Sequence, residues 1–460
     1  MLGIQLAQLL DTLPAGVSAA VDVVSAFDDG LVPGLARLGP EQTAAYTALS
    51  SALGGSPLAA PVADAVEKLG VGAIGPDELA VLAGGRAALL GAVHDALLDA
   101  FDTSLSRTRN IWSPGDSTPG PAANVAVACR SWLQELAITG WRGVDHELVS
   151  AVDQTVEALL ADPGSRRLAF LLDGLAAELR ACCPVATMDR LPVRRWADLW
   201  SRALLLSWRG ADSSAYRAVS GRLLPLVVDV HEHGTAVQIQ THAVLEDADG
   251  AVHRVRVSVA AAKVDTIVGP AVWQLFGAYP RLMTALAERR CLDLAQMPLA
   301  PSGDLVWRDD HAEVGEPADP FATAHVRLAA ATAPAVPPLD RDPVHIAEPV
   351  LIENYRITGD TLELEGHRVA LELDRLPRCG PLTPAVVTSS TACLGLIRFD
   401  AGSWSLRPLA VRAKSKGKIV EVHGGDWACG PTDPKVIKAQ AKSGDALAVL
   451  RERAGRLLRA

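Results

Sequence analysis

The sequence predicts an α+β chain: an N-terminal all-helical region, a small antiparallel β meander, and a C-terminal small β-barrel or sandwich closed by a basic helix. Three observations predict it. Through the first half, apolar residues recur at roughly 3.6-residue spacing, the period of an amphipathic helix. At about Leu223, and again after Pro349, the period changes to that of a strand, whose alternate side chains face opposite ways. Gly, Pro and Asp clusters punctuate both later segments at turn spacing.

The chain has 460 residues, enough for two to four domains at roughly 150 residues each. Residues 1–111 read as an N-terminal helical region. Pro40, Pro57 and Pro76 each open a helix, because proline suits a first turn whose N–H has no intrahelical partner. The clearest helix spans 85–105, with Leu89, Leu90, Val93, Leu97, Leu98 and Phe101 on one face. A Ser/Pro/Gly-rich stretch, 112–121, separates it from a second helical region, 122–222. There, helices are expected at 125–138, 144–160, 166–181 and 194–208.

Residues 223–297 are expected as the meander plus a helix. Its strands are 223–232, 235–246 and 251–260, turning at His233-Gly234 and at 247–250. The helix covers about 270–295. The Pro-rich, acidic stretch 298–345 reads as a linker. Residues 346–460 carry six short strands in about 75 residues, the density of a barrel or sandwich. An amphipathic basic helix, 435–459, closes the chain.

Charge and cysteine usage exclude several classes. Net charge is −10, which argues against a whole-chain nucleic-acid binder. It is uneven: residues 405–460 hold 12 Lys/Arg against 5 Asp/Glu. The seven cysteines are odd in number and irregularly spaced, without a C-x-x-C, so neither a disulfide framework nor a cysteine-rich zinc site is expected. No run of 18 uninterrupted apolar residues suggests a membrane span. Residues 1–13 lack the basic start of a signal peptide. The expectation is a cytoplasmic protein with no membrane partner and no cofactor.

The motifs point to binding rather than to a recognisable reaction. Gly70 to Gly75 match G-x-G-x-x-G, but a helix precedes them where a dinucleotide site needs a strand. Gly417-Lys418 is followed by Ile419, so there is no Walker A loop. Ser389, Ser390 and Thr391 have no nucleophile elbow around them and read as a turn.

Three clusters remain. Trp196 and Trp200 lie one turn apart, with Trp208 two turns on and Arg194, Arg195 and Arg202 interleaved. Such a helix face is either core or a protein interface, where Trp and Arg dominate binding energy. Asp229, His231 and His233 alternate along a strand and so share a face, as two imidazoles and a carboxylate around a metal can. Gln238, Gln240 and His242, then Arg254, Arg256 and Ser258, extend that face over two more strands. It also reads simply as the wet side of an antiparallel sheet. Finally, Trp404 with Arg412, Lys414, Lys416 and Lys418 places an aromatic beside a basic hairpin tip, a possible track for single-stranded nucleic acid.

The leading expectation is a non-enzymatic adaptor or scaffold for protein partners, of the kind that accompanies a bacterial multi-protein system. The alternatives are a nucleic-acid module in 346–460 and a metal-dependent enzyme at Asp229, His231 and His233.

Overall fold

A computed structural model describes residues 9–10, 12–112, 124–208, 216–234, 236–337, 339, 341, 345–400, 402–415 and 417–443. The chain is α+β. Among the described residues, nine helices of defined extent come first: α1 Val17–Gly30, α2 Pro40–Ala52, α3 Ala59–Gly70, α4 Pro76–Ser104, α5 Asn124–Thr139, α6 His146–Ser150, α7 Asp153–Ala161, α8 Arg166–Cys182 and α9 Val193–Trp208. Prolines start α2 and α4 as expected, and the Gln42 and Glu78 carboxamide and carboxylate reach back to the Gly39 and Gly75 N–H groups. α3 precedes Gly70-Val-Gly-Ala-Ile-Gly75, so the dinucleotide context is absent there.

The helical regions expected on either side of 112–121 share one hydrophobic core. Their join is a backbone crossing. Gly34 (φ +85°) and Gly140 (φ +75°) meet so closely that a Cβ on Gly34 would lie 2.4 Å from the Ile138 carbonyl oxygen. Only glycine tolerates both the left-handed conformation and that approach. Leu35 N–H donates to Ala137 and Trp141 N–H to Leu31 across the crossing.

α4 is the spine. Its 29 residues span about 44 Å. Leu79 to Leu90 belong to the helical core, whereas Val93 to Leu105 belong to the core of the C-terminal sheet. By length and composition it is apolar enough to cross a membrane, unlike the other described helices, and most of that stretch is buried in protein.

The expected meander exists, as β1 Arg217–Glu232, β2 Ala236–Asp247 and β3 Val252–Ala262, but it is part of a larger ring. The 270–295 region does not form one helix. It breaks into a 3-10 turn over Gly269–Phe276, a short helix α10 Pro280–Glu288, and strand β4 Arg290–Leu299. Arg289, in the left-handed region at φ +53°, ends α10 and turns the chain into β4.

Nor is 298–345 only a linker. It supplies β5 Asp304–Leu305, β6 Ala312–Pro317 and helix α11 Pro320–Arg327. The order is β1-β2-β3-β5-β4-β6, and β1 also pairs with β4, which closes the ring. Closure depends on β1 bending. Its register slips between Pro225 and Val227, and its first residues pair with β4 while the rest continue on β2. Proline at the slip removes a ladder donor where none is needed.

The C-terminal segment is an open sheet instead of the expected barrel or sandwich. It contains β7 Ala347–Glu353, β8 Arg356–Thr358, β9 Thr361–Leu364, β10 His367–Leu371, β11 Ser390–Asp400, β12 Ser403–Ser415 and β13 Lys418–His423, with a short helix α12 Pro384–Thr388. Their order is β7-β11-β12-β10-β9-β8, with β13 on β12. It does not close on itself because both faces are taken. One packs on the second half of α4 and on α1. The other meets the ring through Leu351, Leu394 and Leu396 against Leu224, Leu226 and Val244. The ring is thus the third layer. β1 is buried on both faces, which explains the near-continuous apolar run from Leu223 to Val230. The last described helix is α13, Pro434–Ser443; the rest of the expected basic helix lies outside the described residues.

Candidate functional site

The polar strand face from Gln240 to Ser258 is not on open surface. It walls a cavity of about 390 Å³ where the ring, α4 and the C-terminal sheet meet. β2 and β3 set the wall by register, with Gln240 opposite Ser258 and His242 opposite Arg256. The far side comes from His94 and Leu98 of α4, Arg109 beyond its end, and Glu348 at the start of β7. The volume is within the usual range for small-molecule sites.

An ion cluster lies behind this wall. Glu348 accepts from Arg109 Nη2 at 2.9 Å and from Arg254 Nη1 at 2.5 Å. Asp102, on the stripe of α4 that carries His94 and Leu98, accepts a two-pronged bond from Arg109. Arg107 donates to the Pro349 carbonyl at 3.0 Å and stacks over Phe101. Burial alone would raise the Glu348 carboxyl, but Arg109, Arg254 and Arg107 hold it well below its ordinary range. Arg107 is the converse: burial, then repulsion from Arg254, brings it down to about 9. On the wall itself, Arg256 clasps Asp304 through Nε at 2.8 Å and Nη2 at 2.9 Å.

His242 is pushed down to about 4, first by burial and then by Arg256, so its ring is neutral at pH 7. Several buried polar atoms have no hydrogen-bond partner among the described residues. They include His242 Nε2, His94 Nδ1, and the Nε and Nη2 of Arg254.

The residues proposed as a metal site do not assemble into one. Asp229 is buried and gives both oxygens to Arg407, at 3.0 and 2.8 Å. His231 Nε2 is 3.2 Å from Asp229, and exposed His233 lies just past the end of β1. Burial alone would raise Asp229, yet the hydrogen bond and charge of His231, with Arg407 and His242, take it down to about 2. Arg407 continues to Glu372 at 2.8 Å, so Asp229 is the ring's half of a clamp between the two sheets. Among the described residues, no group of three or more His, Cys, Asp or Glu is placed to hold a metal ion.

The Trp/Arg helix divides. Trp196 and Trp200 are fully buried in the helical core, where Trp200 Nε1 donates to Leu133. Eight of the ten tryptophans are buried, which makes most of them packing material. Arg202 donates to Asp198 and to the Leu339 carbonyl, Arg195 pairs with Glu178, and Arg194 lies 3.5 Å from Asp400. Arg194 and Arg195 line a second cleft with Arg86 and Asp198. Trp208, at the end of α9, stays 45% exposed beneath the Arg130 guanidinium, 4.2 Å from its ring centroid.

The basic hairpin is less than a stacking site. Trp404 is buried against Phe399, and Arg412 is held by Glu421, Asp319 and the Phe321 ring. Lys414 and Lys418 are exposed, and Lys416 lies outside the described residues. Ser390 is tied to Tyr355 at 2.6 Å and to the Val387 carbonyl, a structural role.

In the sequence, Gln240, His242, Arg254, Arg256 and Ser258 read only as an extension of the metal face, and His94, Asp102, Arg107, Arg109 and Glu348 carry no motif that joins them to it. The readable signal was in α4, where His94 and Asp102 interrupt an otherwise apolar stripe at i and i+8. No protein-family model, curated protein or solved structure matches the chain.

Proposed function

We propose that this chain works by binding, as a non-enzymatic cytoplasmic adaptor that carries protein partners on its helical layer. The observation that supports this reading is the Trp208–Arg130 plate. Arg130 Nη1 is anchored on the Ser207 carbonyl at 2.8 Å, so its guanidinium is already fixed over the indole. Exposed Val127 lies one turn earlier on α5, and exposed Tyr216 precedes β1. A rigid aromatic beside an ordered arginine and an apolar neighbour is the composition of a binding hot spot, with little side-chain entropy left to lose. The seven free cysteines suit a reducing compartment.

The test is affinity capture with the full-length chain and its Trp208→Ala and Trp208→Phe variants, after nuclease treatment. The reading expects a defined set of proteins on the wild type, at least tenfold depleted by Trp208→Ala and retained by Trp208→Phe. The same proteins on all three baits, or none on any, would overturn it.

A further inference from the structure

We propose that the junction cavity is a binding site for a small monoanionic carboxylate, taken up side-on by Arg254 and enclosed by His94 and His242. This site is separate from the Trp208 surface, and its test does not depend on that reading.

Charge is the first argument. Arg107, Arg109, Arg254 and Arg256 lie in or directly behind the wall, against Asp102, Asp304 and Glu348. Among the described residues four guanidinium groups face three carboxylates, one more positive charge than negative, in a poorly solvated place. Buried charges are ordinarily paired. One further negative charge balances the set, and a dianion overshoots it.

Geometry is the second. Arg254 spends only its Nη1 on Glu348, and the nearest other carboxylate oxygen, from Asp102, is 3.7 Å from Nη2. The Nε–Nη2 edge is therefore unused by any hydrogen bond among the described residues, although Arg254 is only 5% exposed. That edge is the planar two-donor fork that matches a carboxylate. His94 Nδ1, 3.9 Å from Asp95, and His242 Nε2 lie on almost completely buried rings lining the same cavity, and neither makes a hydrogen bond among the described residues. An orphaned buried donor costs free energy that a fitting acceptor recovers. Leu98, Ala335, Val336 and Pro337 give the rest of the lining an apolar surface for the body of the ligand.

The experiment is thermal-shift and calorimetric titration of the full-length protein with sodium acetate, butyrate and benzoate. Sodium chloride, sulfate and inorganic phosphate at matched ionic strength are the controls. Butyrate or benzoate should raise the melting temperature saturably, with one site per chain. Arg254→Lys keeps the charge and removes the fork, and should weaken binding at least tenfold. Arg254 is buried, so Ser258→Leu provides a second variant that narrows the cavity from a lining position outside the ion cluster, and it too should abolish the shift. Equal shifts from chloride or sulfate, preference for phosphate, no saturable shift from any carboxylate, or a shift unchanged in both variants would overturn the proposal.

Discussion

Lowering the pH from 7 to 4 should destabilise the protein through His242, and the size of the effect follows from its surroundings. Its ring is buried and faces Arg256, which together bring it from an ordinary 6.5 down to about 4. In the unfolded chain the same imidazole takes up a proton near 6.5. A folded-state value below the unfolded one means that the unfolded state binds more protons between the two. The contribution of the neutral ring is therefore complete above pH 6.5 and is lost progressively as pH falls toward 4. A displacement of about 2.5 units corresponds to about 3 kcal/mol at 1.36 kcal/mol per unit. Asp229 also has a depressed value, about 2, but its loss falls below pH 3.8 and so outside this window. Urea unfolding of wild type and His242→Gln at half-unit pH steps measures the effect. The variant should lose about 3 kcal/mol less than wild type between pH 7 and 4, and the two should run parallel above pH 7. Parallel curves throughout would show that His242 is hydrated or charged in the folded state, and the enclosed cavity wall would be refuted.

Three other outcomes follow from the packing. Gly34→Ala drives a Cβ into the Ile138 carbonyl, whereas Gly72→Ala, also in the left-handed region at φ +73°, meets nothing within 4 Å. Both should lower the urea midpoint, Gly72→Ala by strain of about 1 kcal/mol and Gly34→Ala by clearly more. Trp200→Ala should cost about 3–5 kcal/mol because it empties a fully enclosed site, while Trp208→Ala should cost well under that; circular dichroism through a urea titration compares them. Among the cysteines, exposed Cys429 should react first with a thiol reagent at pH 8, with buried Cys129, Cys379 and Cys393, pushed up to about 12, unreactive until unfolding; peptide mapping of the labelled chain checks this.

Local elements were legible where neighbours in sequence decide them. The proline-started helices α2 and α4 and the β1–β2–β3 hairpins follow from periodicity and turn residues. What escaped depends on partners distant in the chain. Short strands β5 and β6 have no periodicity of their own and exist because β3 and β4 offer them edges. The apolar run in β1 shows that both its faces are covered, and on that ground a sheet packed on a sheet was readable. Asp229 and His231 do share a face, as alternation requires, but the partner that decides their chemistry is Arg407, 178 residues after Asp229. Likewise Arg254 meets Glu348 across 94 residues and Arg109 meets it across 239. Polar residues on an apolar helix stripe, such as His94 and Asp102, mark that a polar junction exists without saying what completes it.

A double-mutant cycle between Arg254 and Glu348 tests most directly whether the ring, α4 and the C-terminal sheet converge on one charged cavity. Arg254→Met, Glu348→Gln and the combined variant are compared with wild type by urea unfolding. Either single change breaks the buried Arg254–Glu348 pair and should cost about 3–5 kcal/mol. The account expects the pair to be coupled by at least about 1.5 kcal/mol, the double variant losing much less than the two singles together. Additive losses, with coupling within about 0.5 kcal/mol of zero, would contradict it.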